Sequence, residues 1–226
     1  NSVMQSTLEL AAAAPFAINR ILMNDVRKRL GDIRTSQATS GVWARYDGGR
    51  LSGSAGLEND FHTIQAGVDT VPGDSSIRFG AALSYTGSEA DYRRGNADMD
   101  LYGLSAYGLW MGEAGQFVDV VGRLASAKTD MTVDGGKKGS MDNVALSLSG
   151  EVGWRFDVSS LFYVEPQVEA TYTFVNADRL ELSDGSNYEF DDAHSLLGRA
   201  GMAFGVKCPN ERGSVHARVS AVHEFL

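Results

Sequence analysis

Between Asn143 and Phe156 the chain reads NVALSLSGEVGWRF and alternates apolar with polar positions over a length that spans a bilayer. One parity carries Val144, Leu146, Leu148, Val152, Trp154 and Phe156, interrupted only by Gly150. The other carries Ala145, Ser147, Ser149, Glu151, Gly153 and Arg155. Successive side chains of a strand point to opposite faces, so this segment has one oily wall and one wet wall. Strands of soluble domains run to about 5–6 residues, whereas a tilted transmembrane strand needs about 9–11. The pattern predicts an all-β fold, an antiparallel transmembrane β-barrel.

The same alternation recurs after Ser40. Strands are expected near Val42–Arg50, Phe61–Thr70, Ile77–Thr86, Met99–Met111, Gln116–Lys128, Asn143–Asp157, Leu161–Phe174, Ser195–Val206 and Ser214–Phe225. The connections alternate between short turns (VPGDSS, MGEAG, DVSS, CPNERG) and long polar loops (GRLSGSAGLEND, GSEADYRRGNAD, TDMTVDGGKKGSMD, VNADRLELSDGSNYEFDDAH). Short periplasmic turns and longer extracellular loops mark a bacterial barrel and place the start of the first strand on the periplasmic side. Arg45, Gln65, Asp69, Arg78, Asp119, Arg123, Glu151, Arg155, Glu169, Arg199 and Arg218 all fall on the wet parity. Glu165 and Glu169 there suit a hydrated lumen, since in a closed apolar core they would be costly unpaired charges. Pro166 lacks a ladder donor, so a local bulge is expected beside it.

The first 34 residues differ in kind. Ala11 to Ala14 and Ile18, Leu22, Val26 and Leu30 recur at helical spacing, ending near Gly31, with Pro15 as a kink point. Asn19, Arg20, Asn24, Asp25, Arg27, Lys28 and Arg29 occupy the other faces. The chain is therefore divided into a leading helix, 1–34, and a barrel, 35–226.

Composition narrows the alternatives. No run approaches the roughly 18–20 apolar residues of a membrane helix, and 43% hydrophobic residues is what a wall of alternating faces produces. The net charge of −9 comes with no basic cluster suited to nucleic acid. The lone Cys208 excludes an internal disulfide framework. No cofactor or metal is expected: EFDDAH near residue 190 matches no calcium-loop spacing.

An odd number of strands is foreign to single-chain bacterial barrels, and VHARVSAVHEFL stops in or just after a strand. Roughly three further strands are expected to complete a closed wall, because an open edge in lipid strands backbone polar groups. The segment NDVRKRLGDIR (24–34), followed by SGVWARYDGG and IQAGVD, resembles the start of the translocator β-domain of monomeric (type V) autotransporters. FVDVVGRL, SGEVGWRF, YVEPQVEATY and LLGRAGMAFG continue the resemblance in order over nearly the whole chain. It implies a 12-stranded barrel, of which about nine strands and the threaded helix are present here with the last strands missing. It also implies a bacterial outer-membrane location, and secretion of an N-terminal passenger with the help of lipid and the barrel assembly machinery.

In the subgroup typified by the serine protease autotransporters of enterobacteria, the passenger is released by a break within the pore helix. The side-chain amide of an asparagine attacks its own carbonyl carbon, assisted by barrel carboxylates. The resemblance puts the attacking residue at Asn24 and the leaving residue at Asp25, where the subgroup has a second asparagine. The barrel carboxylates fall on Asp119 and Glu151, both on the wet parity. This would be a single self-cleavage and no turnover enzyme. The alternative is that Asn24 only hydrogen-bonds in the pore, while Asp119 and Glu151 pair with Arg123, Arg155 or a helix lysine. Three further readings compete with translocation. A barrel enzyme would need clustered catalytic groups, and His62 and His194 read as solvated loop residues near strand ends. A passenger-free porin gives no reason for the leading helix. A soluble β-sandwich conflicts with the two oily strand faces.

Overall fold

A computed structural model describes residues 41–52, 58–92, 95–133, 136–176, 179–183, 185, 187–189, 191–207 and 214–225. The expected leading helix, Asn24, Asp25 and Cys208 lie outside the described residues. The strands are β1 (Gly41–Ser52), β2 (Glu58–Thr70), β3 (Ile77–Tyr92), β4 (Gly95–Met111), β5 (Gln116–Val133), β6 (Lys137–Trp154), β7 (Phe156–Asp157), β8 (Phe162–Val175), β9 (Arg179–Leu182), β10 (Asn187–Glu189), β11 (Ala193–Lys207) and β12 (Ser214–Glu224). One antiparallel sheet runs β1-β2-β3-β4-β5-β6-β8-β11-β12, nine long strands in chain order. The short β7 continues β6 along β8, and β9 and β10 form a small hairpin beside β6.

The burial of side chains follows the pleat with an inverted sense. On β4 and β6 every second residue is buried and its neighbours are exposed. The exposed parity is apolar: Leu83, Tyr102, Leu104, Leu124, Leu146, Leu148 and Val168 are all more than half, or about half, exposed. The buried parity is rich in polar and charged groups, among them Gln65, Asp69, Arg78, Asp119, Arg123, Glu151, Glu169 and Arg199. A water-soluble domain is built the other way round. On β6 the apolar outer positions run from Val144 to Trp154. Ten residue steps at about 3.4 Å, tilted by about 40°, give a band roughly 25 Å tall, the height of an outer-membrane apolar belt. Trp154 stacks on Phe156 at one rim, with the two rings 4° from parallel. Tyr85 and Tyr102 meet at the other rim, their centroids 5.1 Å apart. Aromatic pairs of this kind form the girdles of such barrels.

Curvature is visible in one contact. The indole of Trp43 on β1 donates to the Tyr107 hydroxyl on β4 at 2.9 Å, although β2 and β3 lie between them. Three inter-strand steps of about 4.8 Å separate those backbones, so long inward side chains must converge over a concave face. Gly67 and Gly80 make room for them. A Cβ on Gly67 would lie 2.7 Å from the Trp43 ring, and one on Gly80 would lie 2.6 Å from the Tyr107 ring. The aromatic rings lie over glycines of the intervening strands.

Two expectations need correction. The segments read as long loops are largely strand: β3 and β4 are joined across residues 93–94, and β5 and β6 across 134–136. β5 and β6 are 18 residues each, well beyond what the bilayer requires. Above the lipid both faces of a strand can be polar, so the alternation fades while the hydrogen-bonded ladder continues. Pro166 produces no bulge. The register is unshifted on either side of it, from Gly153↔Gln167 to Phe156↔Val164 on one edge, and through Met202↔Pro166 on the other. The proline, having no N–H, opens a gap in the ladder between β6 and β7 without adding a residue.

Above the apolar band, Arg50 on β1 and Asp60 on β2 form a two-pronged pair on the outer wall, at 2.7 and 2.9 Å. The hydrogen bond from Arg50 holds the exposed Asp60 carboxyl below its ordinary value. Its stabilisation is therefore present above the unfolded-state value and is lost as pH falls through the lowered one. Being exposed, the pair contributes little.

Three outcomes are expected. Leu146→Arg at mid-band should destabilise the barrel by about 2–4 kcal/mol in a urea titration in lipid vesicles, whereas Leu146→Phe should leave it near wild type. Gly80→Val should lower the temperature at which the barrel loses its compact form on cold SDS gels, by an overpacking cost of about 1–3 kcal/mol. Asp60→Asn should narrow the difference in melting temperature between neutral pH and pH 3 by no more than a degree or two, as expected for an exposed pair.

Candidate functional site in the bore

The bore-facing ionisable groups are brought together by register. Asp119 on β5 is the direct partner of Glu151 on β6, Glu151 of Glu169 on β8, and Glu169 of Arg199 on β11. Four charged side chains thus stand side by side at one level of the wall. They are 5%, 4%, 3% and 9% exposed, respectively. Like charges directly opposite one another are destabilising, and Arg199 offsets two of them. Arg199 Nη2 donates to Glu151 Oε2 at 2.6 Å, and also to Glu169 Oε2. The Thr171 hydroxyl donates to Glu169 Oε1 at 3.0 Å. Removing one partner of such a buried cluster costs about 3–5 kcal/mol, because the remaining charge has lost its counter-ion.

Two further clusters flank the row toward the periplasmic rim. Arg155 donates to Glu165 through Nε at 2.8 Å, and its guanidinium carbon sits 4.1 Å from the centre of the Tyr163 ring. The Tyr163 ring in turn occupies the space that a side chain at Gly205 would need. On β2–β4, Arg78 donates to Asp69 Oδ1 at 3.1 Å and Tyr107 to Asp69 Oδ2 at 3.0 Å. This second network joins the Trp43–Tyr107 contact. Apolar patches interleave with these groups on the bore wall: Met99, Leu101, Ala125, Ala127, Ala145 and Val175 form one buried cluster toward the extracellular end, and Ala82, Tyr107, Leu109, Phe117 and Val121 form another beside the charged row.

Of the four residues assigned from sequence, Asp119 and Glu151 stand next to each other and face the bore, while Asn24 and Asp25 lie outside the described residues. Glu151 is held by Arg199, while Arg123 donates to Ser105 Oγ at 2.9 Å and Arg155 binds Glu165. Glu169 and Arg199 were placed on the wet parity by the sequence but not in the site. Parity tells which face a residue occupies, and only register tells which residue is its neighbour. His194 is not a loop residue. It lies in β11, its Nδ1 2.6 Å from the Tyr172 hydroxyl and its ring beside Phe174 on the outer wall. His62 likewise belongs to β2. Among the described residues no group of His, Cys, Asp and Glu has the geometry to hold a metal ion.

Comparison with known proteins agrees with this geometry. A family model described as the autotransporter beta-domain matches residues 42–226. Serine protease EatA of Escherichia coli O78:H11 is 28% identical over 210 residues, which cover 90% of this chain and 15% of the relative. Serine protease EspP of Escherichia coli O157:H7 is 25% identical over 236 residues, covering all of this chain and 18% of the relative. The chain thus spans less than a fifth of the length of these curated relatives. Among solved structures, the β-domain of the Bordetella autotransporter Brka superimposes with a TM-score of 0.74 at 25% identity, covering 83% of this chain and 80% of that one. The translocator domain of the autotransporter NalP from Neisseria meningitidis gives a TM-score of 0.77 at 15% identity, over the whole of this chain and 80% of that one. A sheet greasy outside and charged inside, matched by the family model over all its long strands, makes this chain a member of the autotransporter β-domain family, an outer-membrane translocator.

Proposed function

We propose that this chain is the membrane-embedded part of a longer secreted protein and carries an N-terminal passenger outward. In this reading residues 1–34 are the linker and pore-plugging helix, and residues 35–226 belong to the barrel. Lipid and the barrel assembly machinery are its partners, along with the passenger itself. The single observation that supports the plug is the charged inner wall, where Asp69, Arg78, Asp119, Glu151, Glu169 and Arg199 all face the bore. The leading segment carries groups of both signs that suit such a wall, Arg20, Arg27, Lys28 and Arg29 together with Asp25 and Asp32.

The proposed chemistry is one break per molecule. The Asn24 side-chain nitrogen attacks the main-chain carbonyl carbon of the same residue. A succinimide closes on the passenger end, and the Asn24–Asp25 peptide bond breaks to leave a new amine on Asp25. An amide nitrogen is a poor nucleophile without a base and a fixed near-attack geometry. Asp119 accepts its proton and returns it to the departing nitrogen of Asp25, and Glu151 orients the amide. Both carboxylates are buried and adjacent, as such a role requires. The barrel is then a single-event scaffold and not a turnover enzyme.

Passenger release from the full-length protein tests the chemistry. Asn24→Ala and Asp119→Asn should each abolish release while the passenger still reaches the surface, read by surface protease accessibility. Undiminished release in both variants overturns the cleavage. Removing residues 1–34 should raise single-barrel conductance in planar bilayers several-fold, and unchanged conductance overturns the plug.

A further inference from the structure

We propose that the wall is built to part along the seam between β6 and β8, and that the bore widens there as the passenger passes. The β9–β10 hairpin is the latch of that seam. The inference rests on the outward transport of a passenger proposed above. The ladder is not equally long at every seam. β5 and β6 share eighteen paired positions, from Gln116↔Trp154 to Val133↔Lys137, and β8 and β11 share fourteen. β6 and β8 share nine, from Ala145↔Val175 to Gly153↔Gln167. Among the described residues this is the shortest ladder between neighbouring long strands. It is also cut at both ends. Below, Pro166 interrupts it, and only Phe156 and Asp157 of β7 pair again. Above, β6 leaves β8 and takes β9 at Gly139↔Leu182 and Ser140↔Glu181.

A column of side-chain bonds stitches the same seam on its bore side. The Ser147 and Thr173 hydroxyls lie 3.3 Å apart, and those of Ser149 and Thr171 3.0 Å apart. Glu151 of β6 and Glu169 of β8 are joined through Arg199, and Arg155 below them reaches Glu165 of β8 at 2.6 Å. At the top, Asn176 takes the place of a rung. Its Oδ1 accepts from the Val144 N–H at 2.6 Å, and Asn143 Nδ2 donates to its carbonyl at 3.1 Å. A rung broken in hydrocarbon strands an N–H and a C=O. Hydroxyl and amide side chains take over such backbone groups readily, as Asn176 does in the closed wall. Pro166 has no N–H to strand. Parting therefore costs least here, with the fewest rungs and a polar column beside them to receive the freed groups. The blocks on either side, β1–β6 and β8–β12, are continuous and move apart without unpairing. The hairpin lies between β8 and β11 in the chain but grips β6. There the Ser183 N–H donates to the Lys138 carbonyl at 2.8 Å, and the Lys138 N–H to Ser183 Oγ at 3.2 Å. It ties the two blocks at the extracellular end.

The test uses the full-length protein in its outer membrane, with a calcium-folded domain in the passenger that stalls transit until a chelator is added. Ser147→Cys with Thr173→Cys places a thiol pair across β6–β8, and Ala125→Cys with Ala145→Cys places one across β5–β6. Each pair is treated with a short bis-thiosulfonate reagent during the stall and again after export is complete. Bridging across β6–β8 should be roughly tenfold slower in transit than after it, because thiols on parted strands lie beyond reach. Bridging across β5–β6 should be the same in both states. Equal bridging across β6–β8 in the two states overturns the proposal. So does its loss at both seams during transit, which marks a wall not yet assembled. If the β6–β8 thiols do not bridge in finished barrels, amide exchange decides. Gln167–Val175 of β8 should then exchange roughly tenfold faster in transit, with Phe117–Ala125 of β5 unchanged, and equal rates overturn the proposal. The unsubstituted protein separates the two layers. If its passenger does not reach the surface after chelation, the transport reading itself falls. If it does, past a seam that behaves alike in transit and at rest, only the parting falls.

Discussion

The backbone hydrogen-bond ladder is what everything else in this molecule hangs on. In hydrocarbon no water can satisfy an N–H or C=O group, so each must find its partner across the sheet. The long strands from β2 to β11 are paired on both sides in antiparallel register; one gap falls where Pro166 has no hydrogen to offer, and another where β6 passes from β8 to β9 nearer the extracellular end. Once pairing is compulsory, the two faces are free to differ without limit. The apolar face then needs no protein partner, and leucines such as Leu83 and Leu148 can stand fully outward. The other face holds charges that a soluble core would not tolerate.

That tolerance shapes the interior. An arginine–glutamate cluster in a dry core is weak support for a fold, because desolvation offsets most of the attraction. A bore wall is a different setting, since side chains from several strands meet there and can share one counter-ion. Arg199 illustrates this by serving two glutamates from neighbouring strands. The Trp43–Tyr107–Asp69–Arg78 chain does the same nearer the rim. Both depend on curvature, and curvature depends on glycines at Gly67 and Gly80 that let large rings lie across intervening strands.

Much of the architecture was legible because lipid imposes the strictest possible period on a strand. Each of the nine expected strands is present, and in the expected order, since leucines and valines at alternate positions have only one wall to face. Strand ends were not legible: beyond the apolar band, segments such as Thr129–Asp142 carry polar residues on both faces, and nothing in their pattern separates ladder from loop. The acidic row was only half legible. Alternation put Asp119, Glu151, Glu169 and Arg199 on one face, and family resemblance selected the first two. Which carboxylate meets which arginine is a matter of register between strands far apart in sequence, and no local signal encodes that.

The extension of β3–β6 past the bilayer changes what a small deletion or insertion does there. In a flexible loop, one residue more or less is absorbed. In a paired ribbon, an odd change rotates every side chain beyond it by half a turn, exchanging inner for outer, while an even change shortens or lengthens the arm and preserves its facing. Variation in the length of these arms should therefore come in steps of two.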